Sequence, residues 1–243
     1  MEVKVLGLAP ERADCGGRIK NPYYDAWKKV EMKALRLNSS YRESSDALFD
    51  LSASEDEYEL CLDDLKSINE WIVPYTQKYA WAIPSEEALL EIARYSPLVE
   101  IGAGTGYWAW LLRQMGVDIL AYDCKPPHLE KTENEFHREV DSWTEVLVGD
   151  ESVLDALPDR TLFLCWPPSN HPMAFQTLSR FRGDRFLFVG EGWPSHATGD
   201  EAFFDLLESD WVMEEDHSRV WLPHWPGRDD LLWIFHRKRE EEI

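Results

Sequence analysis

From residue 97 onward, short apolar blocks alternate with helical stripes. Pro97 closes what precedes it, Val99 to Ile101 forms an apolar run, and Gly102, Gly104 and Gly106 follow at alternate positions. At Tyr107 the period turns helical, with Trp108, Leu111 and Leu112 spaced to share a face. A buried strand, a glycine turn and a helix are therefore expected. VDILAYD (117–123) and TEVLVGD (144–150) read as the second and third strands. TLFLCWPP (161–168) is the fourth, apolar throughout as a central parallel strand should be, and DRFLFVGEG (184–192) is the fifth. Val153, Leu154 and Leu157 mark a short helix, and longer ones are expected over 171–181 and 200–208. Two closing strands, 211–222 and 231–238, are joined by PHWPGRDD, a link short enough to force an antiparallel pair.

The first 95 residues carry a different pattern. Residues 22–36 and 44–70 are charged and intermittently apolar, which suggests short helices. Leu60, Leu62, Leu65, Ile68, Trp71 and Ile72 largely fit one helix face, ended by Pro74. YAWAIPSEEALLEIARY (79–95) joins an aromatic loop to a helix starting near Ser85, with Glu86 and Glu87 in its first turn. The expected division is an N-terminal helical extension over 1–95 and an α/β domain over 96–243.

Glycines in the first turn allow positive φ and close ligand approach, and the open N–H groups of the next helix favour a polar or anionic group. A dinucleotide fingerprint would place its third glycine at 107; that residue is Tyr107, and the glycine comes one position earlier. Glu100 stands two positions before the first glycine. This E-x-G-x-G-x-G run, 100–106, resembles motif I of the class I S-adenosylmethionine-dependent methyltransferases. The resemblance implies that Glu100, Gly102, Ala103, Gly104 and Gly106 form the loop beside the methionine part and ribose of that cofactor. It implies that Asp123, next to Tyr122 at the tip of strand two, accepts the ribose hydroxyls, and that Asp150 at the tip of strand three meets the adenine amino group. Asp123 has the alternative of starting a turn before Lys125, and Asp150 that of capping a helix. Tyr79, Trp81 and Ile83 stand where the family has a segment closing over the cofactor; plain packing is their other reading. The closing pair matches the family's reversed seventh strand. The fold implied is α/β: a three-layer, seven-stranded Rossmann-like methyltransferase sheet with a reversed last strand, plus the helical extension.

The tip of strand four occupies the place where amino-group methyltransferases carry Asn/Asp-Pro-Pro-Tyr/Phe. Here Trp166 replaces the polar residue and Ser169 the aromatic, so only backbone carbonyls remain as acceptors. That departure speaks against methylation of a nucleobase or glutamine amide. Trp166 serves either as a platform for adenine or substrate, or as core. Ligands of open α/β sheets bind outside the carboxyl ends of the strands, which also present His171 and Glu191. The link between the last strands brings His224, Trp225, Asp229 and Asp230 to the same edge. Methyl transfer is an in-line displacement in which positioning dominates, and no metal is required. A base matters only where the acceptor must lose a proton, and His224, His171 and Glu191 are its candidates. For each, a satisfied loop residue is the other reading, and the favoured one.

With 243 residues, 44% of them hydrophobic, the chain can bury a sizeable core. Its 46 acids against 25 bases give a net charge of −21, which opposes unaided binding to a phosphate backbone. A small-molecule or protein acceptor, cationic above all, suits that field better, although acidity also suits a salt-rich cytoplasm. Cys15, Cys61, Cys124 and Cys165 show neither paired spacing nor a metal pattern. Without an export signal or a long apolar span, a cytoplasmic protein is expected, its oligomeric state open. The expected activity is S-adenosylmethionine-dependent methyl transfer to an unidentified acceptor. Aminopropyl transfer on the same sheet and a non-catalytic binding or regulatory protein are the alternatives.

Overall fold

The computed structural model describes residues 19–37, 72–129, 133–192, 197–214, 220–225 and 227–239. The helix expected over 44–70 lies outside them. Among the described residues eight strands follow in chain order: β1 (Leu98–Ile101), β2 (Ile119–Asp123), β3 (Leu147–Val148), β4 (Thr161–Cys165), β5 (Arg185–Gly190), β6 (Trp211–Met213), β7 (Val220–Trp221) and β8 (Leu231–Arg237). They form one sheet in the order β3-β2-β1-β4-β5-β8-β6, with β7 also paired to β8. The first five are parallel, and β8 runs antiparallel to β5, β6 and β7. Strands β6 and β7 pair with opposite ends of β8, so they act as two pieces of one interrupted strand. Counted that way, this is the expected seven-stranded α/β sheet with its last strand reversed.

Helices cover both faces: α1 (Pro22–Leu37), α2 (72–78), α3 (Glu86–Ala93), α4 (Tyr107–Gln114), α5 (Met173–Arg180) and α6 (Glu201–Asp210). Successive strand residues point to opposite faces. Leu98, Phe163, Leu187 and Ile234 therefore join one buried cluster with α3 and α4, while Val99, Leu162, Leu164, Phe186 and Phe188 join another with α5 and α6. All four residues of β1 are buried, as coverage on both faces requires.

Element ends differ from the expected ones for local reasons. Strand β2 begins at 119 because Gly116, at φ 79°, and Val117 close α4, the Val117 N–H donating to Leu112 O at 3.1 Å. Strand β3 shrinks to two residues at the sheet edge, where Arg113 draws Thr144 Oγ1 (2.7 Å) and the Glu145 carbonyl (2.9 Å) into its own hydrogen bonds. Helix α3 starts as expected, with the Ser85 hydroxyl accepting from Ala88 N at 3.1 Å.

The described part of the N-terminal region shares the core of the sheet. Tyr23 and Trp27 of α1 and Ile72 of α2 belong to the same cluster as β1 and α4. Tyr23 stacks on Tyr79 at 4.8 Å, and the Trp225 indole N–H donates to its hydroxyl at 2.9 Å. Tyr107 Oη donates to Asn21 Oδ1 at 2.8 Å and accepts the Tyr23 N–H at 3.0 Å. Tyr107→Phe leaves that buried N–H without its acceptor, so it should cost about 1–3 kcal/mol. A lowered urea midpoint at unchanged m-value would report the loss, and an unchanged midpoint would show that α1 is not held there.

Candidate functional site

The glycine turn after β1 is built as the sequence requires. Gly102, Gly104 and Gly106 take φ of 75°, 53° and 71°, which side-chain-bearing residues rarely adopt. Three backbone N–H groups fasten the turn: Ala103 to Tyr122 O at 2.9 Å, Gly106 to Ala103 O at 2.8 Å, and Gly104 to Asp123 Oδ2 at 2.8 Å. The other Asp123 oxygen accepts from Lys125 N at 2.8 Å. Asp123 thus closes the turn after β2 and holds the glycine turn as well. Its carboxylate, 8% exposed, faces the backbone of Gly104 at the carboxyl edge of the sheet.

His137, which the sequence did not single out, lies against this turn. A Cβ on Gly104 would fall 2.5 Å from His137 Nε2. His137 Nδ1 is 2.9 Å from the Gln77 carbonyl, an acceptor, so Nδ1 carries the proton and Nε2 presents a lone pair to the glycine turn. Burial lowers its pKa and keeps the imidazole neutral. Asn134 holds the residue in place, accepting from His137 N at 2.9 Å and donating to the Lys125 carbonyl at 2.8 Å. No periodic signal marks His137, because its position depends on an irregular loop.

A second group gathers where β4, β5 and β8 meet. At Trp166 the chain leaves β4 with φ 52°, and the Trp166 N–H donates to Val189 O at 2.8 Å. Its indole N–H donates to Asp230 Oδ1 at 2.5 Å, its ring stacks on Trp81 at 5.3 Å and 19°, and the Arg228 guanidinium lies 4.8 Å from its centroid. Arg228 Nη1 is 3.8 Å from Glu191 Oε1. Asp230 is 1% exposed, and burial, with Glu191 nearby, raises its pKa to about 7. Glu100 on β1 is also buried, with Oε2 lacking a hydrogen-bond partner, and desolvation raises its pKa to about 8. Burial, with Glu100 and Asp230 close by, likewise pushes the Cys165 thiol well up.

The expected residues thus divide. Gly102, Ala103, Gly104, Gly106 and Asp123 form one assembly, and Trp166 and Glu191 belong to the second with Asp230. Asp150 caps the short 3-10 helix Glu151–Ala156, accepting from Ser152 N at 2.9 Å; hydrogen bonding from the Ser152 side chain and backbone lowers its pKa, and the side chain is exposed at the tip of β3. Tyr122 packs beside Gly149 and in the cluster that holds Val153. Tyr79, expected to close over a cofactor, is 6% exposed and stacked between Tyr23 and Trp143, while its carbonyl accepts from the Thr105 hydroxyl. It is core, because the rings of Tyr23, Tyr107 and Trp143 pack around it. The His224 carbonyl accepts from the Trp27 indole at 3.2 Å and its Nδ1 lies 3.3 Å from Trp225 O, which ties it to α1. His171 Nδ1 accepts from Met173 N at 3.2 Å at the start of α5.

Among the described residues, no group of three or more His, Cys, Asp or Glu side chains could hold a metal, and no helix is long and apolar enough to cross a membrane.

No protein-family model matches the chain, and no curated protein matches it significantly. Among solved structures, 1,6-didemethyltoxoflavin-N1-methyltransferase of Burkholderia thailandensis, with bound 1,6-didemethyltoxoflavin and S-adenosylhomocysteine, is similar at 18% identity and TM-score 0.40, over 78% of this chain and 93% of that one. MtNAS in complex with MTA and tNA is similar at 16% identity and TM-score 0.42, over 89% and 98%. The CcbJ methyltransferase of Streptomyces caelestis follows at 13% identity and TM-score 0.39, over 63% and 89%. Likenesses this distant carry no argument about activity. Strand order and the glycine turn carry the assignment of fold.

Glu100 and Asp230 retain protons in the folded protein at pH values where the unfolded chain has lost them. The folded state therefore binds more protons between about pH 4.5 and 8 for Glu100, and from 3.8 to about 7 for Asp230. Stability should fall as pH rises through that window. Glu100→Gln should remove about half of the fall, Asp230 supplying the rest, and raise the melting temperature at pH 8 by several degrees. Parallel pH profiles for the two proteins would show that Glu100 ionises freely.

Proposed function

We propose that this protein is an S-adenosylmethionine-dependent methyltransferase with a small-molecule or protein acceptor. The observation that carries the reading is the left-handed glycine turn between β1 and α4, tied by its Gly104 N–H to the acidic tip of β2, in a sheet whose last strand is reversed. A nicotinamide-binding sheet would place a glycine at Tyr107 and lacks the reversed strand.

The residues fit the cofactor in their chemistry. Asp123 is a buried carboxylate with lone pairs beyond those given to Gly104 and Lys125, suited to a ribose diol. Asp150 presents an exposed acceptor at the next strand tip, compatible with its capping role. Gly102, Gly104 and Gly106 pack against Met173, the His137 imidazole and Val146, each within 2.6 Å of where a Cβ would stand, so the turn has no room for larger side chains. When bound, S-adenosylmethionine supplies an electrophilic methyl group on a sulfonium.

The chain's own residues do the positioning. Trp166 offers an aromatic face, fixed by Trp81 behind it and by Asp230 at its indole N–H. Asp230, with a pKa near 7, is matched to hold or release a proton at neutral pH and joins His224, His171 and Glu191 as a candidate base. The surplus of acidic residues supports an acceptor other than nucleic acid.

Calorimetric titration with S-adenosylmethionine and S-adenosylhomocysteine, with NADH as control, tests the reading. Both sulfur compounds should bind and NADH should not. Gly104→Val forces a β-branched residue to φ 53° and into His137, so it should weaken S-adenosylhomocysteine binding by at least about tenfold. Absence of binding by either sulfur compound to the wild-type protein would sink the proposal.

A further inference from the structure

Arg228 is a cation set against the acidic and aromatic group at the tips of β4, β5 and β8, and its contact with Glu191 is long. Its guanidinium lies over the Trp166 ring at 4.8 Å. Its approach to Glu191 Oε1, 3.8 Å, is about 1 Å longer than a charge-assisted hydrogen bond. Glu191 is 7% exposed, and this Oε1 is buried without a hydrogen-bond partner. A buried carboxylate oxygen left in that state is costly, so the place suits a donor that the described residues do not themselves supply.

The surroundings define which donor. One wall is the face of Trp166, electron-rich and held flat by Trp81 at 5.3 Å. Asp230 stands at the indole edge and Glu191 beyond it, and the two carboxylates are close enough to raise the Asp230 pKa. An anion would meet both carboxylates, and a neutral apolar group would leave Glu191 unsatisfied. A planar or compact cation satisfies the ring and the carboxylates together. Arg228 already demonstrates the match, and it reaches the place from the link between β7 and β8, next to Gly227 at φ 75°.

We propose that this is the acceptor subsite, that it takes a substrate bearing a guanidinium or primary ammonium group, and that Arg228 holds the place until the substrate displaces it. The inference rests on the methyltransferase reading for the word acceptor, while the cation site itself rests on the contacts above. Substrate binding then exchanges one cation for another, so Arg228 acts as an internal competitor.

Calorimetric titration with butylguanidinium chloride, and with butylurea as its uncharged isostere, tests this on the full chain. Butylguanidinium should bind and butylurea should bind at least about tenfold more weakly. Arg228→Gln removes the competitor and should tighten butylguanidinium binding severalfold, whereas Glu191→Gln, nearly isosteric, should weaken it by about tenfold. Equal affinities for the two probes, or no loss in Glu191→Gln, would overturn the inference whether or not the Arg228 variant folds. Titrating S-adenosylhomocysteine in the same samples separates the two readings. Cofactor binding without guanidinium binding overturns the subsite alone, and guanidinium binding without cofactor binding overturns the methyltransferase reading alone.

Discussion

The hydrogen bond from Gly104 N to Asp123 joins the two elements on which the site depends. It ties the turn after β1 to the end of β2 at 2.8 Å, and the same carboxylate closes the turn after β2 through Lys125. A charged acceptor in a largely buried position makes such bonds stronger than neutral ones. The constraint runs both ways. The turn can pack its backbone this closely against Met173, His137 and Val146 only because its glycines carry no Cβ and take left-handed φ, and those conformations persist only because neighbouring groups hold them. Position of α4, and with it the docking of Tyr107, follows from this fastening.

Tyr107 carries the constraint into the N-terminal helices. Tyr23, Tyr79, Tyr107 and Trp143 form a continuous set of ring contacts between 4.8 and 6.0 Å, and Trp225 joins it through Tyr23. Rings of this size bury large area, and their edge-to-face geometry fixes orientation as well as distance. Elements far apart in the chain, α1, the glycine turn and the β7–β8 link, therefore share one rigid wall. The described N-terminal residues work as part of the domain's core, although their polar sequence pattern makes them look like an appendage.

Periodicity made the sheet legible, because strands buried on both faces leave continuous apolar runs and the glycine turn has an unusual spacing. Strand four, the glycine turn and the closing antiparallel pair all stand where their patterns place them. The site was legible only in part. Asp123 and Trp166 announce themselves by standing at strand tips. His137 and Arg228 do not, since each arrives from a loop whose path is set by single contacts such as Asn134 to Lys125 and Arg228 N to Trp225 O. Tyr79 shows the converse. An aromatic before a strand reads equally as lid or core, and only the arrival of Tyr23 from 56 positions earlier decides between them.

The stacked indoles of Trp81 and Trp166 give the protein an intrinsic optical marker. The two rings lie 5.3 Å apart, close enough for their transition dipoles to couple, and an in-plane skew between those dipoles gives the pair a paired ultraviolet circular-dichroism band that isolated indoles lack. One ring is bonded to a carboxylate and covered by a guanidinium, which makes its excited state sensitive to charge at that spot. Any molecule that enters between Arg228 and Trp166 alters both signals without a label, and the chemistry of this edge of the sheet can be followed by light alone.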